Sequence, residues 1–206
     1  WEGKVTVIAA ATYKVHDMKQ QYAAMGERFI MYELIQPDRK QASDRSMSNQ
    51  EDRKMEEIRL QLAEAMRVYL NETIELPSEL PKISPELKNK LLDLAEMTTR
   101  ARSDVKRDWR SPTKEITGVY PPEMPTRFAA NLQSLSQSLQ VLHWNETGEI
   151  ILPEKYEKIL FKYSLDSILP ERRKAMQELS RYTILETAAL AIKMNMPTTS
   201  IRRALE

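Results

Sequence analysis

The chain has 206 residues, 41% hydrophobic and 30% charged, with a formal net charge of +1, a composition that belongs to folded globular proteins and excludes a disordered chain. It has no cysteine and only two histidines, His16 and His143. Disulfides, thiolate nucleophiles and cysteine-held metals are therefore excluded, and a metal site or serine-type triad has little to build on, so no metal is expected.

No apolar run approaches the roughly 18 residues that span a bilayer, and no signal peptide opens the chain, so the expected place is the cytoplasm with no membrane partner. Val5-Thr6-Val7-Ile8-Ala9-Ala10-Ala11 is a short apolar, β-branched run suited to a fully buried strand, and Phe29-Ile30-Met31-Tyr32-Glu33-Leu34 is a second. Lys14 to Met25 between them has the length and polarity of a helix, so residues 1–36 are predicted as strand, helix, strand. Two such strands are marginal alone. They form either a small α+β lobe capped by later helices or the end of an α/β core; because the chain opens on Trp1, the second reading expects the front of that core to precede it.

Residues 37–51 are polar and patternless, which predicts a linker. Helical spacing then takes over, and residues 52–148 are predicted to form a helical bundle. Met55, Ile58, Leu62, Ala65, Met66 and Tyr69 make one apolar stripe. Ser84 and Pro85 read as the N-cap and first residue of a helix carrying Leu87, Leu91, Leu94, Thr98 and Val105. Its end begins the most basic stretch of the chain, with Arg100, Arg102, Lys106, Arg107, Arg110 and Lys114 against Asp104 and Asp108. One reading is a solvated helix end; the other is contact with DNA phosphates, with Trp109 and Tyr120 either stacking on bases or packing beside prolines. Phe128, Leu132, Leu135, Leu139 and Leu142 follow at 4-3-4-3 spacing, a seam that reads as core. Tyr156, Ile159, Leu160 and Tyr163 mark a further short helix.

Residues 149–206 end in three short predicted helices. Pro170 opens the first, which runs to about Ser180 and buries Met176 and Leu179. Thr183-Ile184-Leu185-Glu186 fits a capping box, so the second is expected to begin near Ile184 and to stop at Asn195-Met196-Pro197. Thr198 caps the third, Thr199 to Glu206, burying Ile201, Ala204 and Leu205 and exposing Thr199, Ser200, Arg202 and Arg203. Helix, tight turn and helix with hydroxyls and arginines at the start of the last helix is the pattern of a recognition helix, whose first turns enter the major groove. Candidate DNA-binding residues are therefore Thr198, Thr199, Ser200, Arg202 and Arg203, with Arg100, Arg102, Lys106, Arg107 and Arg110 from the basic stretch.

The string from Ala188 to Leu205 resembles bacterial winged-helix DNA-binding domains, although the chain ends at Glu206, where the wing of that family begins. Residues 5–34 resemble the late part of a AAA+ ATPase core of the minichromosome-maintenance helicase type. By that resemblance Thr12, after the first apolar run, takes the place of the sensor 1 residue, where the family has asparagine. Arg28 in Met25-Gly26-Glu27-Arg28-Phe29 takes that of an arginine finger, and Arg127 in Pro125-Thr126-Arg127-Phe128 that of sensor 2. The helical bundle would be the AAA+ lid. The phosphate loop G-x-x-x-x-G-K-[ST] is absent, so this chain is not expected to hydrolyse ATP alone, and ATP and magnesium are expected only with an upstream core. The fold class predicted is mainly α, with partial α/β at the front, a lid-like bundle, and a C-terminal winged-helix or helix-turn-helix domain. The function predicted is binding of DNA, duplex or single-stranded, within a AAA+ helicase or replication initiator, with a homo-oligomer as a further expected partner; the alternative is a winged-helix transcriptional regulator with a helical dimerisation or sensing region.

Overall fold

The computed structural model describes residues 9–10, 31–34, 38–52, 54–103, 105–108, 110–112, 115–119, 121–182 and 184–205. These residues are mainly helical, as expected, with eight α-helices and one two-stranded sheet. The first predicted strand and the helix at Lys14 to Met25 lie outside the described residues, apart from Ala9 and Ala10. The second predicted strand is corrected over its described part. Met31–Leu34 joins no sheet, and Tyr32 and Leu34 are exposed, because the backbone there is satisfied by side chains instead: the Glu33 N–H donates to Asp166 Oδ2 at 2.8 Å, and its carbonyl accepts from Lys162 Nζ at 2.8 Å.

The predicted linker at residues 37–51 is also corrected, since it contains a helix, α1 (Arg39–Asp52). Asp38 starts it. Its Oδ1 accepts from the N–H groups of Lys40 and Gln41 at 2.8 and 3.1 Å, satisfying donors that a helix start leaves open. Helix α2 (Lys54–Val68) follows and runs into a π turn, Tyr69–Thr73, closed by the Ile74 N–H on Tyr69 O at 3.0 Å. The predicted stripe lies on this segment, but Met55, Ile58, Leu62, Met66 and Tyr69 are between 38% and 65% exposed.

An extended strap then crosses from Ile74 to Ser84, held by two amides of a later helix, α4 (Thr126–Thr147). Asn145 pairs with the backbone of Glu75 in both directions, at 2.7 and 2.9 Å, and Gln137 Nε2 donates to Pro81 O at 3.0 Å. Eight residues apart, these two amides are close to one face of α4. Helix α3 (Pro85–Arg102) begins as predicted: Ser84 Oγ accepts from Leu87 N–H at 3.1 Å, and Pro85 takes the first position.

Helices α3, α4 and α5 (Glu154–Asp166) bury one core of Leu87, Leu91, Ala95, Phe128, Leu132, Leu139 and Leu160, so the leucine seam of α4 is core. Gly148, at φ +81°, ends α4 in a left-handed conformation that glycine adopts without strain. Between α3 and α4 the prediction fails for Val105, which leaves the helix and enters strand β1 (Val105–Arg107), paired antiparallel with β2 (Ile116–Val119). The chain turns because the helix is closed at Ser103, whose N–H and hydroxyl both donate to Arg100 O, at 3.1 and 2.7 Å. Lys106 faces Gly118 and Arg107 faces Ile116, which leaves Thr117 as the extra residue of a bulge. β-Branched Val105, Ile116, Thr117 and Val119 suit this hairpin.

Truncating the seam separates core from surface. Leu132→Ala, at a fully buried position, is expected to cost about 2–5 kcal/mol in urea denaturation, whereas Ile184→Ser, at a side chain 86% exposed, should stay within about 0.5 kcal/mol.

Candidate nucleic-acid interface

Three short helices close the described chain: α6 (Pro170–Leu179), α7 (Thr187–Met194) and α8 (Thr198–Leu205). They bury a second core of Ala175, Leu190, Ala191 and Ile201, against which Leu179, Leu185, Met194 and Met196 pack. Two alanines among the four let the helices approach closely. On α6 the fully buried residue is Ala175, with Met176 and Leu179 only partly covered.

The start of α7 differs from the capping-box expectation. The helix begins at Thr187, not near Ile184, and the Glu186 side chain makes no cap hydrogen bond; Thr183 lies outside the described residues. Leu185 explains the shift. It stands just before the N-cap and packs with Leu190, four residues into the helix, on the second core, the arrangement of a hydrophobic staple. Continuing the helix back to Ile184 would turn Leu185 off that core.

The stop is where the residues predict it. Asn195 sits at φ 51° and ψ 46°, its N–H donates to Ile192 O at 3.1 Å, and the Met196 N–H donates to Ala191 O at 3.0 Å. These paired bonds form a Schellman motif, and Asn195 supplies the left-handed residue that it needs. Pro197 then leads into α8, its carbonyl accepting from Ser200 and Ile201 at 2.9 and 3.1 Å. Thr198 is therefore the first residue of α8 and not a cap before it.

Helix α8 buries Ile201 and exposes Thr198, Thr199, Arg202 and Arg203, with Ser200 and Ala204 half-buried. Leu205, expected inside, is 47% exposed; it lies one turn beyond Ile201, which alone reaches the second core. The predicted contact residues thus share the open side of a short helix that follows a tight turn.

The basic stretch from Arg100 is dispersed over three kinds of structure and is not one helix end. Arg100 lies in the last turn of α3 and pairs with Glu96 at 2.5 Å. The Arg102 side chain, 11% exposed, pairs with Glu123 and stacks 4.9 Å over the Phe128 ring, so it serves packing within the bundle. Lys106 and Arg107 lie on β1, and Arg110 is exposed in the hairpin turn, where its N–H donates to Asp108 Oδ1 at 2.9 Å. Arg127 is exposed in the first turn of α4. Thr12, Arg28, Trp109, Lys114 and Tyr120 lie outside the described residues, and nothing described brings Arg127 together with the α8 group.

Two adjacent arginines that the sequence reading passed over fix α6 to the bundle. Arg172 donates to Ala101 O at 3.1 Å and to Ser103 O, covering the negative end of α3. Arg173 donates to Asp166 Oδ1 at 2.8 Å and pairs with Glu33. Asp166, buried at 5% exposure, also accepts from Lys162 at 2.5 Å and from the Glu33 N–H. Lys162 lies 4.4 Å over the Tyr32 ring, whose centroid is 5.0 Å from that of Tyr163. Burial, with Tyr32 and Asp166 nearby, raises the Tyr163 phenol above its usual value and keeps it un-ionised. The connection from α5 to α6 is short, and Ile168 within it is fully buried. The available signal was Arg172-Arg173 in the first turn after helix-opening Pro170, with Asp166 ahead of it.

Among the described residues no group of acidic and histidine side chains could hold a metal ion, and no helix is long and apolar enough to cross a membrane. No protein-family model, curated protein or solved structure matches this chain.

Two substitutions probe how the trio is held. Arg173→Met strands the buried Asp166 with fewer partners and is expected to cost about 3 kcal/mol in denaturant unfolding, much of it recovered by adding Asp166→Asn. Asn195→Gly should be close to neutral, whereas Asn195→Val should cost about 1–2 kcal/mol because a β-branched residue resists the left-handed conformation.

Proposed function

We propose that this chain binds duplex DNA through α8 and is the DNA-binding C-terminal portion of a AAA+ ATPase of helicase or replication-initiator type. The observation that carries the DNA reading is the face of α8: two threonines and two arginines exposed together on the first turns of a helix that its own core presents edge-on. Threonine hydroxyls and the free N–H groups at the helix start suit phosphate oxygens. Arg202 and Arg203 suit phosphate, or the O6 and N7 acceptors of guanine in the major groove. Asn195 and Pro197 set the turn that α6 and α7 need to hold α8 at the surface.

The motor part of the reading rests on sequence resemblance. In it, the bundle of residues 52–148, with α2, α3 and α4, is the lid, Arg127 is the residue that senses nucleotide from that lid, and Thr12 and Arg28 serve the nucleotide site of an upstream core. ATP and magnesium belong to that upstream core. Exposed Arg110 of the hairpin, with Lys106 and Arg107 of the same stretch, is a secondary contact to phosphate in this reading, while Arg102 holds the bundle.

Fluorescence anisotropy with a labelled duplex tests the DNA reading. An Arg202→Ala, Arg203→Ala double variant is expected to keep its fold, since both side chains are exposed, to bind at least about tenfold more weakly, and to lower the salt slope of log K by about 2 if both touch phosphate. Unchanged binding would remove α8 from the interface.

A further inference from the structure

Contacts from α5 and α6 converge on two neighbouring residues, Tyr32 and Glu33, in a segment that joins no helix or sheet. Lys162 and Asp166, one turn apart on α5, take both main-chain groups of Glu33: Nζ donates to its carbonyl and Oδ2 accepts from its N–H, each at 2.8 Å. Arg173 of α6 takes its carboxylate. Lys162 also lies 4.4 Å over the Tyr32 ring, and the Tyr163 ring stands 5.0 Å from that ring at a tilt of 51°. Main chain, acid and ring of one dipeptide are thus each engaged, which is how a linear peptide ligand is read.

The receiving groups hold one another without it. When the Glu33 N–H is taken away, Asp166 keeps Arg173 on one oxygen at 2.8 Å and Lys162 on the other at 2.5 Å, so its buried charge stays paired. The segment in turn gives up little apolar burial by leaving. No residue of Met31–Leu34 belongs to either hydrophobic core, and Tyr32 and Leu34 are 47% and 78% exposed. A contact made of charge-assisted hydrogen bonds and one ring face, over a site already formed, opens at a cost below that of unfolding a core.

We propose that the α5/α6 junction is a recognition site for a linear tyrosine-glutamate segment, that Met31–Leu34 of the same chain is its occupant, and that this segment docks and lifts off as a latch while both cores stay folded. The latch joins residues near the front of the chain to the helix on which the terminal trio is built. It operates whether or not α8 binds DNA.

The site can be emptied without altering it. In a Tyr32→Ala, Glu33→Pro double variant of the full chain, the ring, the acid and the donated N–H are gone, and every residue of α5 and α6 is kept. A fluorescein-labelled peptide with the sequence of residues 29–36 is titrated against this variant and against the unmodified chain by anisotropy. The variant is expected to bind it at least about tenfold more tightly, because in the unmodified chain the tethered segment competes at high effective concentration. The same peptide carrying Glu33→Gln should bind the variant at least about fivefold more weakly, having lost the charge that Arg173 meets. In the unmodified chain, the Glu33 amide should be protected from hydrogen exchange at least about 100-fold less than the Leu132 amide, which opens only with the core. A variant that keeps its far-ultraviolet circular dichroism but ignores the peptide would overturn the proposal, as would equal binding of the glutamine peptide. A variant that loses its helical signal, or Glu33 protection equal to that of Leu132, would make the segment a fixed part of the fold and overturn the latch.

Discussion

The buried carboxylate of Asp166 is the constraint on which the arrangement of this protein depends. It sits at the last turn of α5 and accepts from Arg173 at the start of the next helix, from Lys162 on its own helix, and from the backbone of Glu33, far away in sequence. A buried charge tolerates few geometries, because any that leaves it unpaired is costly. Asp166 therefore selects one placement of three separate pieces of chain: the bundle, the segment Met31–Leu34, and the terminal helices. Apolar burial alone would not, since the two hydrophobic cores do not share a residue.

Arg172 adds a second restraint of a different kind. It meets the carbonyl end of α3, where partial negative charge collects and where the chain turns away into the hairpin. Neighbouring arginines on α6 thus tie the terminal trio to the ends of two bundle helices. In the proposed DNA-binding role this matters because α8 is small and would contribute only a few contacts, whose direction is useful only if the platform beneath them is stiff. Preorganisation of this kind lowers the ordering cost of binding and does not require further contacts.

Elements whose causes are local were legible in the residues. Ser84-Pro85 at the start of α3, the leucine seam of α4, and the stop at Asn195-Met196-Pro197 each follow from a cap, a period or a ring that acts within a few residues. The departures have local causes too, read with the wrong weight. Asp38 caps a helix whose polar residues give it no stripe, so α1 looked like a linker; Leu185 staples α7 and moves its start past the apparent capping box. The hairpin was hidden because Val105 falls at helical spacing from Leu94 and Thr98, and only the closure at Ser103 breaks that continuity. The part that Glu33 plays in the ion cluster around Asp166 was beyond local reading, since Glu33 and Arg173 lie 140 positions apart. Of the candidate interface, the α8 residues came from the pattern, while the arginines that position them did not.

The strap between Ile74 and Ser84 bears on how this chain can grow. Its backbone is tied at Glu75 and again at Pro81, and the residues between, including Leu76, Ser78, Glu79 and Leu80, are open to solvent. Extra residues placed between those ties would loop outward and leave both anchors where they are, at an entropic cost that rises only slowly with loop length. The same insertion made one residue before Glu75, or between Pro81 and Ser84, would shift the register of α2 or of α3 against α4. The span from Leu76 to Leu80 is thus a place where a tag, a peptide epitope or a small inserted domain meets little resistance from the fold.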